Sequence, residues 1–174
     1  MIDNVEKYQP QIYGILGFIC LAVFFLQRTP FLDLSISTAT PVLLVPMVVV
    51  IACFLKEWTG FWFGFASGVA LDVFSADSRI FNTVVLMLIG TLSGLLFHFL
   101  FNRNIKSAII GGFIFSFLYV FLRWIFLTVF LGDGSMFLML VKYEIPSAVY
   151  TALFVIPIFY IVKKLCKRYI IHNN

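Results

Sequence analysis

Glycines recur at every fourth residue of the segment GFWFGFASGVALD, which runs from residue 60 to residue 72. They stand at positions 60, 64 and 68, and Asp72 follows at the same step. Because four residues make about one helical turn, the glycines and the acid share one face of a helix. In water this helix would be weak, since each interior glycine costs about 1 kcal/mol relative to alanine. In a bilayer a glycine face lets a neighbouring helix approach closely. The segment therefore predicts a membrane helix packed along its glycine face, with a polar group meeting Asp72.

The composition also indicates a membrane protein. Of the 174 residues, 62% are hydrophobic and 11% are charged, whereas about a quarter of the residues in a soluble domain are charged. The net charge of +4 does not indicate nucleic-acid binding, because the basic residues lie between and after apolar stretches. The three cysteines are far apart and lack metal-ligand spacing. We expect neither a disulfide framework nor a metal site.

The apolar stretches predict an all-α polytopic fold. A helix needs about 20 apolar residues to cross the hydrocarbon layer, and six stretches come near that length. We therefore expect one integral membrane domain over residues 1–174, a six-transmembrane-helix bundle. Pro46 and Pro157 lie inside the second and sixth spans and predict local kinks. The expected spans are residues 8–27, 34–55, 58–76, 80–101, 107–131 and 145–162.

The distribution of basic residues predicts the orientation of these spans. Eight basic residues fall on one side of six alternating crossings and three on the other, which places both termini in the cytoplasm. We interpret the tail KKLCKR as a topology anchor, and binding of anionic lipid or a cytoplasmic partner is the alternative. The first set is Lys7, Lys56, Arg103, Lys106, Lys163, Lys164, Lys167 and Arg168, and the second is Arg28, Arg79 and Lys142.

Two charged residues fall inside the spans. Asp72 lies about 21 Å along span three and Arg123 about 24 Å along span five, at 1.5 Å per residue. Both spans run outward, so we expect the two side chains to form an intramembrane ion pair. Ser75, Ser78 and Asn82 are candidates for the remaining hydrogen bonds. The alternative is that Asp72 binds a proton, an ion or a solute during transport.

Gly90 and Gly94, in the segment GTLSG, predict a second close helix contact. Because Asp72 continues the glycine face of span three and needs an internal partner, we expect a helix of this chain to fill that face.

No nucleophile–base pattern, metal-ligand spacing or phosphate loop occurs in the sequence. We therefore expect a protein that is not an enzyme and has no catalytic residues and no cofactor.

The chain resembles the rod shape-determining MreD family of bacterial membrane proteins. The resemblance covers the order and length of all six spans, and its motif, GFxxGxxxGVxxD after a proline that opens span two, lies within residues 41–95. The matching positions are Pro41, Gly60, Phe61, Gly64, Gly68, Asp72, Asn82 and Gly90.

This resemblance implies a non-enzymatic scaffold in the plasma membrane of a bacterium. Members of the family associate with the bitopic protein MreC and, with MreB, help to place RodA and a class B penicillin-binding protein. The family also resembles, in fold, the substrate-capture subunits of energy-coupling-factor transporters. That likeness gives the alternative function, capture of a vitamin, although span one lacks the AxxxA pattern of those subunits.

Overall fold

A computed structural model describes the backbone of residues 9–28, 42–55, 57–74, 80–99, 105–131 and 145–171. Side chains are described for residues 12–27, 42–55, 57–74, 80–99, 105–126 and 145–166. The described residues form seven α-helices and no β-strand. The helices are α1 (Gln9–Arg28), α2 (Leu44–Leu55), α3 (Glu57–Val73), α4 (Phe81–Phe99), α5 (Ile105–Leu131), α6 (Ile145–Leu153) and α7 (Val155–Ile171).

Within the described residues, three helical segments are long and apolar enough to span a membrane. They are Phe81–Phe99, Ile105–Phe126 and Ile145–Cys166, and the last of them combines α6 with most of α7. Ile12–Gln27 and Leu44–Leu55 are apolar but shorter. The all-α prediction is confirmed for the described residues, and the spanning segments indicate a membrane protein.

Helix α2 is the centre of the bundle. Its sequence, LVPMVVVIACFL, is apolar on every side, which is typical of a helix surrounded by other helices. The side chains of Val48, Val49, Val50 and Ile51 are 0% exposed. α2 packs most extensively with α4, α3 and α5, and it also packs with α7 and α1. With 12 residues, α2 is about 18 Å long, shorter than the hydrocarbon layer.

Polar side chains from two other helices bond the chain just before α2. Amides just before a helix have no acceptor inside it, and in a membrane an unpaired amide is costly. The amide of Leu43 donates to Oε1 of Gln27 on α1 at 3.2 Å. The amide of Val42 donates to Oγ1 of Thr151 on α6 at 3.2 Å. This entry to α2 is therefore held by α1 and α6.

The kink predicted at Pro46 is wrong. Span two is expected from residue 34, which would place this proline well inside a helix, but α2 begins at Leu44. Pro46 thus lies in the first turn, where a missing amide breaks no intrahelical hydrogen bond. Pro41 lies outside the described residues.

The kink predicted from Pro157 takes the form of a break between α6 and α7. Phe154 interrupts the helix, and its amide bonds the carbonyl of Thr151, three residues earlier, at 3.2 Å. Pro157 has no amide to offer the carbonyl of Leu153, and a proline ring disturbs the preceding turn. The sixth predicted span is consequently two helices.

Candidate functional site

Helices α3 and α4 pack as a close antiparallel pair, with glycines on both sides of the contact. Gly60 lies against Gly90, and Gly64 lies against the backbone of Leu86. One turn forward on α3 therefore corresponds to one turn backward on α4. The helix that faces the glycine face of α3 is thus a helix of the same chain. We call this contact the α3–α4 seam.

The seam leaves no room for side chains at its glycines. A β-carbon added to Gly60 would lie 2.8 Å from Cβ of Ala52 and 2.9 Å from the carbonyl carbon of Gly90. One added to Gly94 would lie 2.5 Å from Cα of Glu57. These separations are well inside van der Waals contact, so alanine at either position would force the helix backbones apart. By contrast, Gly14 on α1 has nothing within 4 Å of such an atom.

Asp72 ends the glycine face of α3 and binds the first turn of α4. Its Oδ1 accepts a hydrogen bond from the backbone amide of Asn82 at 3.1 Å. Its Oδ2 accepts from the amide of Thr83 at 2.7 Å and from the Thr83 hydroxyl at 2.5 Å. Both carboxylate oxygens are therefore engaged with α4.

This arrangement is an N-terminal helix cap supplied from another helix. The carbonyl of Ile80 accepts the first hydrogen bond of α4, from the amide of Val84 at 3.3 Å. Ile80 thus holds the N-cap position, where serine, threonine, aspartate or asparagine normally accepts from the second or third amide. Isoleucine has no acceptor, and Asp72 takes over this role from α3. Its negative charge also interacts favourably with the positive, N-terminal end of the α4 dipole.

Tyr119 extends the network to α5. Its hydroxyl donates to Oδ1 of Asn82 at 2.7 Å, and the tyrosine is only 4% exposed. Phe81, at the start of α4, packs against the rings of Tyr119 and Phe126, with centroid separations of 6.4 Å and 4.7 Å. Asp72 therefore couples α3 to α4, and Asn82 couples α4 to α5.

The ion pair between Asp72 and Arg123 stays a prediction. Within the described part of the chain, the hydrogen bonds recorded for Asp72 come from Asn82 and Thr83. Of the three candidate partners that the sequence suggests, Asn82 bonds Asp72 through its backbone amide and not through its side chain. Ser75 and Ser78 lie outside the described residues.

Sequence reasoning missed Thr83 and Tyr119. Thr83 lies in the first turn of α4, 11 residues after Asp72. This spacing is only a weak sequence signal for a cap on α4. Tyr119 has no local signal, because its contact with Asn82 joins residues 37 positions apart.

The opposite face of α3 carries aromatic side chains. Trp58 is 71% exposed and Trp62 is 60% exposed. The ring of Trp62 packs edge-to-face with Phe61 and Phe65, at centroid separations of 5.4 Å and 6.3 Å. In a bilayer this face is available to lipid or to another protein, whereas the glycine face is occupied by α4.

A cavity of about 580 Å³ opens between α4 and α5 near the start of α4. Its lining residues are all apolar, and among them are Ile80, Val84 and Ile125. Elsewhere among the described residues, no group of three or more histidine, cysteine, aspartate or glutamate side chains is placed to hold a metal ion.

Comparison of the chain with models of protein families, with curated proteins and with solved structures gave no match in any of the three. The resemblance to the MreD family rests on the sequence pattern.

Proposed function

We propose that this chain is a non-enzymatic membrane scaffold of the bacterial cell-elongation complex. In this role it associates with an MreC-like bitopic protein and, through it, with an MreB filament, RodA and a class B penicillin-binding protein. It thereby takes part in rod-shape determination and in the spatial control of peptidoglycan synthesis.

One observation carries this proposal: the polar and glycine positions of the MreD-like motif come together at one contact. They all lie at the α3–α4 seam, where the glycines bring the helices together and the acid caps the second of them. Because the motif residues hold two helices together, they favour a rigid bundle. A rigid bundle is suited to binding other proteins. The positions concerned are Gly60, Gly64, Gly68, Asp72, Asn82 and Gly90.

The proposal includes six crossings with both termini in the cytoplasm of a bacterium, in a bundle like that of the energy-coupling-factor capture subunits. Three spanning segments support it. The antiparallel α3–α4 pair supports it as well, because consecutive antiparallel helices alternate in direction across the bilayer. The central position of the short helix α2 further requires neighbours on all sides.

The state of Asp72 favours a scaffold over a transporter. A carboxylate that binds a proton or a solute during transport usually lies among several polar groups that converge on one site. Here Asp72 accepts three hydrogen bonds from the first turn of α4, which it caps. The cavity beside the start of α4 is lined by apolar side chains, which offer no hydrogen-bonding partner to a vitamin.

Depletion of the protein in its source bacterium tests the proposal. We expect rod-shaped cells to become round. Wild-type protein and the Gly14→Ala variant should restore the rods, whereas Gly64→Leu, which opens the seam, should not. Unchanged cell shape on depletion would overturn the scaffold function.

A stabilisation screen with vitamins tests the alternative directly. A ligand present at 100 times its dissociation constant raises the free energy of unfolding by about 2.7 kcal/mol. The scaffold proposal predicts no such increase and co-purification of an MreC-like protein. A vitamin that raises the unfolding temperature at micromolar concentration would instead assign the chain to solute capture.

A further inference from the structure

The start of α5 and the end of the membrane-spanning part of α7 lie at the same end of the bundle. Ala108 of α5 and Val162 of α7 are both 0% exposed and belong to the same buried cluster. Leu55 at the end of α2 and Ile12 near the start of α1 belong to it too. We call this end the basic end, because it carries exposed lysine side chains.

The cations of the basic end are Lys106, Lys163 and Lys164, whose side chains are all exposed. Val162 is buried in the bundle, whereas the two residues that follow it on α7 are exposed. Nζ of Lys163 lies 5.8 Å from the ring centroid of Phe159, which keeps its ammonium group close to the apolar part of α7. α7 continues to Ile171, and its next turn carries Lys167 and Arg168.

Acidic side chains do little to neutralise this end. Of the side chains that the structure describes there, Glu57, at the start of α3, is the acid. Its Oε2 is buried without a hydrogen-bond partner among the described atoms. Among the described side chains, the basic end therefore carries three cations against one acid.

Lys163 and Lys164 lie at the end of Ile145–Cys166, a segment long and apolar enough to span a membrane. Basic residues at the end of such a segment are expected at the level of the lipid headgroups. The apolar side chains that precede them on α7, Tyr160 and Ile161, are 58% and 49% exposed. A phospholipid can therefore lay its acyl chains against α7 while its phosphate meets the ammonium groups.

We propose that Lys106, Lys163 and Lys164 form a binding surface for anionic phospholipid headgroups. The exposed apolar surface directly beneath the charges favours a lipid over an acidic protein segment, because a lipid satisfies both parts at once. Lys106 adds its charge from the first turn of α5, where the helix dipole also favours an anion. This surface does not depend on the proposed scaffold function.

The test uses the full chain, purified in detergent micelles that contain equal amounts of phosphatidylglycerol and phosphatidylcholine. Mass spectrometry gives the ratio of the two lipids retained by the protein. The wild type should retain phosphatidylglycerol preferentially. Each lysine near an anionic surface contributes about fivefold, so a Lys163→Gln/Lys164→Gln variant should lose about 25-fold of this preference.

Lys163→Arg/Lys164→Arg is the matched control, since it keeps both charges and should keep the preference. If the double glutamine variant unfolds, the single Lys164→Gln variant replaces it, with an expected loss of about fivefold. A glutamine variant that folds and retains the wild-type lipid ratio would overturn the proposal. The proposal would also be overturned if a glutamine variant kept the wild-type lipid ratio but no longer bound an acidic peptide. The lysines would then bind a protein partner.

Discussion

Replacing Asp72 by alanine removes the acceptor of three hydrogen bonds at the start of α4. The amides of Asn82 and Thr83 lose an ionised partner, and so does the Thr83 hydroxyl. The hydroxyl can turn to a carbonyl of its own helix, as threonines do. The amides cannot, because amides of the first helical turn have no intrahelical acceptor.

The magnitude follows from the two amides. A buried amide left without an acceptor costs about 1–3 kcal/mol, and loss of a capping side chain typically costs about 1 kcal/mol. Since Asp72 is only partly buried, water replaces part of the lost bonding. We expect Asp72→Ala to lower the free energy of unfolding by about 3 kcal/mol. Asp72→Asn keeps one acceptor oxygen, and we expect a loss of about 1 kcal/mol.

Equilibrium unfolding by a denaturing detergent in mixed micelles, followed by circular dichroism, measures these differences. The helical signal of the folded variants should match that of the wild type, which separates a weaker bundle from a misfolded one. A loss below about 1 kcal/mol for Asp72→Ala would refute the capping argument. Equal losses for the alanine and asparagine variants would show that the charge, and not the acceptor, matters.

The same assay tests the predicted ion pair with Arg123. A double-mutant cycle of Asp72→Asn and Arg123→Gln gives the coupling energy of the two side chains. A coupling above about 1 kcal/mol would support the pair. Additive losses would leave the cap as the main role of Asp72.

Four further variants can be compared in that assay. Gly64→Ala should destabilise the protein by about 2 kcal/mol or more, because the new β-carbon would lie 3.0 Å from Cα of Met87, whereas Gly14→Ala, in open space, should be neutral. Tyr119→Phe should cost about 1 kcal/mol through loss of the hydrogen bond to α4. Gln27→Leu should cost about 1–2 kcal/mol, since it leaves the amide before α2 without an acceptor.

Each of these variants has an outcome that contradicts its reasoning. Equal stability of the Gly64 and Gly14 variants would mean that the seam yields to a methyl group. A Tyr119→Phe variant as stable as the wild type would mean that α4 does not depend on α5 for its position. An unchanged Gln27→Leu variant would mean that water reaches the start of α2.

The glycine face of α3 illustrates what sequence can predict about a membrane protein. Its four-residue spacing is a property of one helix, so it identifies the packed face without knowledge of the neighbour. The expectation that Asp72 needs a polar partner has the same origin, because the cost of an ionised group in lipid depends on its own chemistry.

The start of α2 shows where such reasoning fails. Apolar residues before Leu44 suggest a longer span, and Pro46 then reads as an interior proline. The entry to this helix is held instead by Gln27 and Thr151, which come from distant parts of the chain. Composition cannot reveal a helix boundary that is set by side chains 16 and 109 residues away.

Thus the sequence by itself determined the apolar helices, the packed face of α3 and the need to compensate Asp72, since each depends on local spacing or on the chemistry of a single side chain. Only the tertiary structure decided that α4 fills that face, that Asp72 caps it and that α2 lies at the centre. These features depend on the rotation and register of one helix against another, and periodicity along one helix carries no information about either.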